Sequence, residues 1–328
     1  MAYTRDAQAR AGAAFLYSQL THIESRVLEQ PYPQITYPQH VYVDTSAPDG
    51  VEGIAFQTLD WAGEPAPIGD NSNDVPMVSL AYGNGLVPVK QYALGYEYGL
   101  IELIKANTLN TNGNRTAAVD LLADKVKAAR AGTERFLNKL AYIGDQRYGL
   151  INSGLINYPT VPVVTTGSLL GGTNQTLDQI LAGTDPNQVA AALLNLFNNA
   201  YQRVYVTQTN TNYRPTHILL DPISFGKLAA ARIPNTDQTY ITYLQRVIGA
   251  YGITFDQVQQ LQGAGVGGTN RMMVMTRDDD FIKFHLPMPF QLEAPVPTGP
   301  LTWAGAGVVR TAGTEIRIPA AQLYVDGL

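Results

Sequence analysis

The sequence has no cysteine, so it can form no disulfide, no thiolate metal site and no cysteine nucleophile. It also has no run of about 18 apolar residues, the length a helix needs to cross a bilayer. Charges interrupt the opening stretch MAYTRDAQARAGAAFLYSQL, which therefore lacks the apolar core of a secretion signal. We expect neither a membrane span nor standard export, and a reducing cytoplasm is compatible with folding.

Charge is scarce as well. Charged residues make up 15% of the 328 residues, against roughly 25% in typical soluble domains. Either partners cover much of the surface, or Asn, Gln, Thr and Tyr supply an uncharged polar one. The net charge of −5 is not that of a sequence-specific nucleic-acid-binding protein. Any DNA contact is expected to be local and non-specific.

The residue patterns of familiar active sites are missing. The sequence GAGVGG at Gly263–Gly268 has the letters of a dinucleotide-binding loop, but a Gln-rich helical stretch precedes it and a strand follows, so we expect a plain loop. Asp278–Asp280 favours a solvated hairpin turn over a metal site, because successive turn residues point in different directions. No sequence motif pairs the four histidines, which are His22, His40, His217 and His285.

Distant residues can still meet in a fold, so a catalytic cluster stays open at this stage. No residue stands out as its centre, and neither a Gly-x-Ser-x-Gly elbow nor a Walker loop occurs. The sequence therefore predicts no enzyme activity, no catalytic residue, no cofactor and no metal.

An amphipathic helix is predicted near the start of the chain. Leu16, Leu20 and Ile23 recur at spacings of three and four, and Pro31 marks the end of the pattern. The Pro-rich stretch that follows suggests an arm that docks on a neighbouring subunit. An ordinary helix on its own subunit is the alternative.

Residues 40–89 alternate like two long strands separated by a stretch rich in Gly, Pro and polar residues. An isolated hairpin is marginally stable in water, so this one should project and need a neighbour. The residues expected to be buried between subunits are Val51, Ile54, Phe56, Leu59, Trp61 and Met77.

Helices are predicted at residues 92–106 and 116–142. In the second, Leu122, Val126, Ala129, Thr133, Phe136, Leu140 and Ile143 form one apolar stripe, with polar residues including Asn138 on the opposite face. Gly144 is expected to end it. Further along, the pattern predicts a βαβ-like central region, and two C-terminal strands that could pair with the 40–89 excursion.

The stretch KVKAARAGTERFLNKLAYIGDQRYGLINSGLINYP, Lys125–Pro159, resembles the spine helix and following turn of the Hong Kong 97-like major capsid proteins of tailed bacteriophages. The order of elements along the chain is also similar to that family, and the FLYSQLTHIES arm is similar to that of one phage subgroup. The residues that match the family's turn are Gly144, Asp145, Gly149, Leu150, Gly154, Leu155 and Asn157.

This resemblance implies an α+β fold of the Hong Kong 97 type, with an arm, an extended-loop hairpin, a peripheral domain with a spine helix, and an axial domain. The implied segments are 1–39 (N-terminal arm), 40–89 (extended loop and flanking strands), 90–186 (peripheral domain), 187–286 (axial domain) and 287–328 (C-terminal strands returning to the peripheral domain).

The implied function is that of a major capsid protein, not an enzyme, which self-assembles into the icosahedral head shell of a tailed bacteriophage around double-stranded DNA. Implied partners are further copies in pentamers and hexamers, packaged DNA bound non-specifically, and scaffold, portal and decoration proteins. The chain would be found in the virion after assembly in the bacterial host cytoplasm, with no membrane association.

Two alternatives stay open: the shell protein of an encapsulin-type nanocompartment and, from another class, a hydrolase with a β-rich domain. Two departures from the family matter. Many relatives begin with a long scaffolding segment that is absent here, so we expect a separate scaffold, a shortened chain or scaffold-free assembly. The best-known relative crosslinks Lys to Asn, but nothing selects such a pair for Lys90, and we expect no crosslink.

Overall fold

The computed structural model describes residues 34–64, 77–111, 121–150, 154–172, 175–234 and 236–328. The α-helices are α1 (Tyr37–His40), α2 (Leu100–Thr111), α3 (Leu121–Ile143), α4 (Thr166–Leu169), α5 (Leu177–Leu181), α6 (Pro186–Gln202), α7 (Pro222–Ala230) and α8 (Tyr240–Ile248). A π-helix, Arg203–Gln208, continues α6. None of these helices is long and apolar enough to cross a bilayer.

Fourteen strands complete the α+β fold in the described parts of the chain. They are β1 (Tyr42–Asp44), β2 (Gly53–Ala62), β3 (Ser79–Pro88), β4 (Lys90–Gly99), β5 (Val163–Thr165), β6 (His217–Leu220), β7 (Thr254–Gln257), β8 (Arg271–Met275), β9 (Ile282–His285), β10 (Met288–Leu292), β11 (Val296–Gly299), β12 (Thr302–Thr311), β13 (Gly313–Ile316) and β14 (Gln322–Asp326).

The chain divides into two compact units. The first takes its described residues mainly from Leu94–Gly132 and Leu292–Gly307, and the second from Ile35–Ala93, Thr133–Gln291 and Val308–Leu328. The division into five segments made from the sequence is a finer one and stays a prediction.

A five-stranded sheet in the order β5-β14-β8-β6-β7 organises the second unit. Every residue of β8 is buried, and its side chains alternate between two cores: Met272 and Val274 enter one, Met273 and Met275 the other. A strand covered on both faces needs apolar residues at every position, which explains the run MMVM. The sheet is therefore the middle layer of this unit.

Each core is completed by helices or by a second sheet. Leu193 and Phe197 of α6 and Leu244 of α8 pack into the first core. Leu140 of α3 and Phe284 of β9 pack into the second. In the three-stranded sheet, β9 lies between β1 and β13.

The predicted βαβ-like region is confirmed at β6 and β7. These strands pair in parallel, and α7 and α8 form the crossover between them. Pro222 occupies the first turn of α7, and the Asp221 carboxylate accepts a hydrogen bond from the Ser224 N–H at 2.9 Å. Asp221 therefore caps this helix.

The long helix α3 follows its predicted apolar stripe. Ala129, Thr133 and Leu140 are buried, and Gly144 ends the helix in the left-handed conformation at φ 78°. The prediction for Asn138 is wrong, because this residue is buried. Its side-chain oxygen accepts the N–H groups of Thr36 and Tyr37, both at 3.0 Å, and so satisfies the start of α1.

The segment after α3 satisfies the carbonyl groups at the end of that helix. Helix C-termini leave these acceptors without intrahelical partners, and here the turn folds back to supply donors. The pairs are Gly144 N–H to Leu140 (2.8 Å), Leu155 N–H to Ala141 (2.9 Å), Ile156 N–H to Tyr142 (3.0 Å) and the Asn157 side-chain amide to Ile143 (2.6 Å). Gly154 permits the close approach, since a Cβ there would overlap backbone atoms of Tyr142 and Ile143.

Three expectations from the sequence are wrong. The predicted helix over 92–106 begins only at Leu100; before it, alternating tyrosines form β4, which pairs with β12. The C-terminal strand β12 thus pairs with β4, not with the 40–89 excursion. Asp278–Asp280 does not close a hairpin, because β8 lies in the five-stranded sheet and β9 in the three-stranded one.

Gly154→Ala should destabilise the subunit by about 2 kcal/mol or more, because the new methyl group forces the turn away from the end of α3. Gly226→Ala is the matched control. Gly226 lies in α7 with nothing within 4 Å of an added Cβ, so this change should be neutral or stabilising by up to about 1 kcal/mol. Urea unfolding monitored by circular dichroism measures both. Equal stabilities would contradict the assigned close approach.

His40 is buried, and its Nδ1 lies 2.6 Å from the Tyr142 hydroxyl oxygen. Burial lowers the pKa of His40 from 6.5 to about 4, although Asp256 opposes this shift. A lowered folded-state pKa means that the unfolded chain takes up a proton first. Stability is therefore complete above about pH 6.5 and falls as the pH drops toward 4.

His40→Gln should flatten this loss. Over the same pH range the wild type should lose up to about 3 kcal/mol more than the variant. Urea unfolding midpoints are measured at several pH values for both proteins. The carboxylates titrate in both proteins, so their contribution cancels in the difference between the two pH profiles. Parallel pH profiles would rule out the neutral buried histidine.

Candidate assembly interface

The strands β2 and β3 form a hairpin that pairs with no third strand among the described residues. Their antiparallel register runs from Gly53 opposite Pro88 to Ala62 opposite Ser79. At roughly 3.4 Å per residue each strand is about 30 Å long. The predicted long hairpin is confirmed, and both its faces need cover from elsewhere.

One face of the hairpin is apolar and exposed. Residues directly opposite each other point to the same side, so the register places Leu59 beside Tyr82, with Leu80 and Leu86 along the same face. These four side chains are between 55% and 73% exposed. Met77, just before β3, is 83% exposed. Leu59, Leu80, Tyr82 and Leu86 are called the apolar face below.

The opposite face is partly covered by the subunit itself. Phe56 lies across Gly85, where any side chain would overlap its ring. The Arg317 guanidinium lies 5.7 Å from the centre of the Phe56 ring, a cation–π distance. The two faces thus differ: one packs on its own chain around Phe56, and the other is open.

The six residues predicted for the hairpin interface are spread over both faces. Val51, Ile54 and Phe56 are half-buried within the subunit, whereas Leu59 and Met77 are exposed. Trp61 lies in β2 opposite Leu80 in the register. The assignment of all six to subunit contacts stays a prediction. The arm residues Leu16, Leu20 and Ile23 lie outside the described residues.

Sequence reasoning missed Leu80, Tyr82 and Leu86. The signal was present, because SLAYGNGLVP places apolar residues at alternate positions on both sides of Asn84. The expected interface residues came mostly from β2, yet the register shows that β3 supplies three of the four members of the apolar face.

Charge on the hairpin has one sign. Between residues 51 and 88 the sequence has the acidic residues Glu52, Asp60, Glu64, Asp70 and Asp74 and no lysine or arginine. A surface that receives the apolar face is therefore favoured if it is neutral or basic.

Two stretches considered for chemistry, Asp278–Asp280 and Gly263–Gly268, lie in the described part of the chain. The carboxylate oxygens of Asp278–Asp280 lie within 4.8 Å of one another, but all three side chains are exposed. Gly263–Gly268 follows a 3-10 turn at Gln259–Leu261, contains a second one at Val266–Gly268 and is followed by β8 and not by a helix, so the loop expectation is confirmed. Its φ angle is positive at Gly263, Gly267 and Gly268.

Comparison with known proteins gives the family. A family model described as Major capsid protein matches residues 63–328 of the chain. The chain matches no curated protein. The family is structural, and neither the nanocompartment nor the hydrolase alternative is supported.

Solved structures give the fold. The capsid of Myoviridae phage XM1 is similar with a TM-score of 0.73 at 16% identity, covering 95% of this chain and 98% of that chain. A chain from Mycobacterium phage Ogopogo has a TM-score of 0.59 at 14% identity, covering 95% and 98%. One from Gordonia phage Cozz has 0.56 at 16%, covering 94% and 92%. These likenesses confirm the expected Hong Kong 97-like fold.

A match over residues 63–328 spans well over half of the sequence, and the fold agrees with it along nearly the whole length. The chain therefore belongs to the major capsid protein family, whose copies associate into the shell of a virion.

Proposed function

We propose that the chain builds the icosahedral head shell of a tailed bacteriophage, as pentamers and hexamers held together in part by the hairpin. The apolar face is the observation that carries the proposal. Four large side chains of one ribbon face are more than half exposed, and a soluble isolated subunit gains nothing from that arrangement. A neighbouring copy that covers the face removes the exposure.

The energy of such a contact is modest for one subunit and large for a shell. Burying a leucine or tyrosine contributes about 1.5–3 kcal/mol, so one apolar face supplies a few kcal/mol after ordering costs. Every subunit in a closed lattice both gives and receives this contact. Modest interfaces then add up to a stable particle.

Family membership and charge support the further roles proposed here for the other segments and partners. The N-terminal arm (1–39) reaches a neighbour with the residues that precede α1, 90–186 and 287–328 form the peripheral domain, and 187–286 forms the axial domain. The net charge of −5 leaves only weak, non-specific contact between the inner wall and packaged double-stranded DNA. Scaffold, portal and decoration proteins complete the head during assembly in the host cytoplasm.

Replacing the apolar face should stop assembly without unfolding the subunit. In the triple variant Leu80→Gln, Tyr82→Gln, Leu86→Gln, each altered side chain is already exposed, so unfolding free energy should change by about 1 kcal/mol or less. Size-exclusion chromatography and negative-stain electron microscopy should find closed particles for the wild type and small soluble species for the variant.

The matched control is Tyr251→Gln, Val266→Gln, which removes exposed apolar groups of the second unit outside the hairpin. It should assemble as the wild type does. Normal particles from the triple variant, or equal loss of assembly in the control, would contradict a special role for the apolar face.

A further inference from the structure

The hairpin joins the rest of the second unit through two chain segments at its base. The strand β2 begins at Gly53 just after a turn in which the Val51 N–H donates to the Pro48 carbonyl at 3.2 Å. On the returning side, the Val89 N–H donates to the Glu52 carbonyl at 2.9 Å. Two chain segments closed by a backbone hydrogen bond hold a ribbon together but leave it free to tilt.

Arg310 of β12 binds the backbone at this base. One terminal nitrogen of its guanidinium donates to the Asp49 carbonyl, and the other donates to the Val51 carbonyl at 3.0 Å. A planar fork that binds two carbonyls two residues apart fixes the direction of the backbone between them. Arg310 Nε is buried and has no hydrogen-bond partner in the described part of the chain. The hydrogen bonds of this guanidinium therefore come from the two terminal nitrogens, which contact the turn.

Arg317 makes a second attachment inside the hairpin. Its guanidinium faces the Phe56 ring, while its Nε donates to the Glu315 carboxylate at 3.1 Å. Phe56 cannot move away across the ribbon without leaving Gly85, over which it lies. Arg317 therefore joins the hairpin to β13.

A buried network of polar side chains positions the Arg317 guanidinium. Glu315 is fully buried, and its other carboxylate oxygen contacts His285 Nε2. His285 Nδ1 lies 3.3 Å from an Asp44 carboxylate oxygen, an ion-pair distance without hydrogen-bond geometry. Burial alone would raise the pKa of Glu315, but the hydrogen bond from His285 and the charges of His285 and Arg317 lower it. The carboxylate is ionised and anchors the guanidinium.

These contacts lie five residues apart along the chain, at Val51 in the turn before β2 and at Phe56 within β2. A single attachment would let the hairpin rotate about that point, whereas two attachments at different positions fix its direction. We infer that Arg310 and Arg317 are positioning residues that set the angle at which the hairpin leaves its subunit. The inference rests on the proposed function, because this angle determines where the apolar face meets the next copy and hence the curvature of the shell.

The test uses the full chain with two introduced thiols, Gln57→Cys on the hairpin and Gln259→Cys on the second unit, both at exposed positions. Because the sequence has no cysteine, spin labels attach only there. Electron–electron double resonance on soluble subunits measures the distance distribution between them. In Arg310→Met, Arg317→Met we expect a distribution about twice as broad as in the parent.

The control is Arg246→Met, which removes an arginine 5.9 Å from the Tyr243 ring, an equivalent contact in the same unit away from the hairpin. Its distribution should match the parent. Arg317→Lys keeps the charge, so its distance distribution should be less broad than that of Arg317→Met. If circular dichroism shows that the double variant does not fold, the comparison of Arg317→Lys with Arg317→Met takes its place.

Electron microscopy of the parent and the arginine variants with Gln57 and Gln259 left unchanged measures the consequence for assembly, because Gln57 lies on the same side of the ribbon as the apolar face. We expect uniform closed particles to fall about tenfold in Arg310→Met, Arg317→Met, with open or irregular sheets in their place. An unchanged distance distribution, or a broadened one with normal particles, would overturn the inference while leaving the shell function intact. A parent that forms no particles, but whose hairpin loosens in the variant, would overturn the shell function and leave the arginine attachment standing.

Discussion

A two-stranded ribbon has no third strand and no layer of its own above it, so an apolar face on such a ribbon can be covered only by something else. That constraint governs β2 and β3. One face turns Phe56 and Ile54 toward the parent subunit, and the other presents Leu59, Leu80 and Tyr82 to the outside. A monomer with this ribbon is an incomplete structure, as expected of a subunit from the major capsid protein family.

The second unit supplies the rigidity that such a projecting element requires. Its central sheet is buried on both faces, and β8 feeds two cores with alternate residues. Where β8 begins beside the end of β14, the Arg271 guanidinium binds the Asp326 carboxylate at 2.6 and 2.9 Å and the Ile156 carbonyl at 2.6 Å. A buried, fully paired ion pair fixes the strand register at a point where a mismatch would leave a charge unpaired.

Charged side chains also connect the hairpin to the rest of its unit. The ribbon itself is acidic, while Arg310 and Arg317 come from the C-terminal strands and meet its base. Asp44, just before the ribbon, meets His285 of the neighbouring strand. Residues far apart in sequence thereby connect the projecting hairpin to the core of its unit.

The sequence by itself determined the features set by local periodicity: the stripe and Gly144 end of α3, and the two alternating strands of the hairpin. The family resemblance also identified Gly154 and Asn157 as part of a turn, but it did not explain their structural role. Only the tertiary structure decided that these residues satisfy the carbonyls at the end of α3, that Asn138 is buried, and that Tyr92–Tyr98 pair as a strand with β12. The physical reason is that periodicity fixes which face of an element is apolar, whereas strand pairing and register depend on partners elsewhere in the chain, as β4 depends on β12. The apolar face depends on both. Alternation in the sequence puts apolar residues on one side of each strand, and the register places Tyr82 beside Leu59.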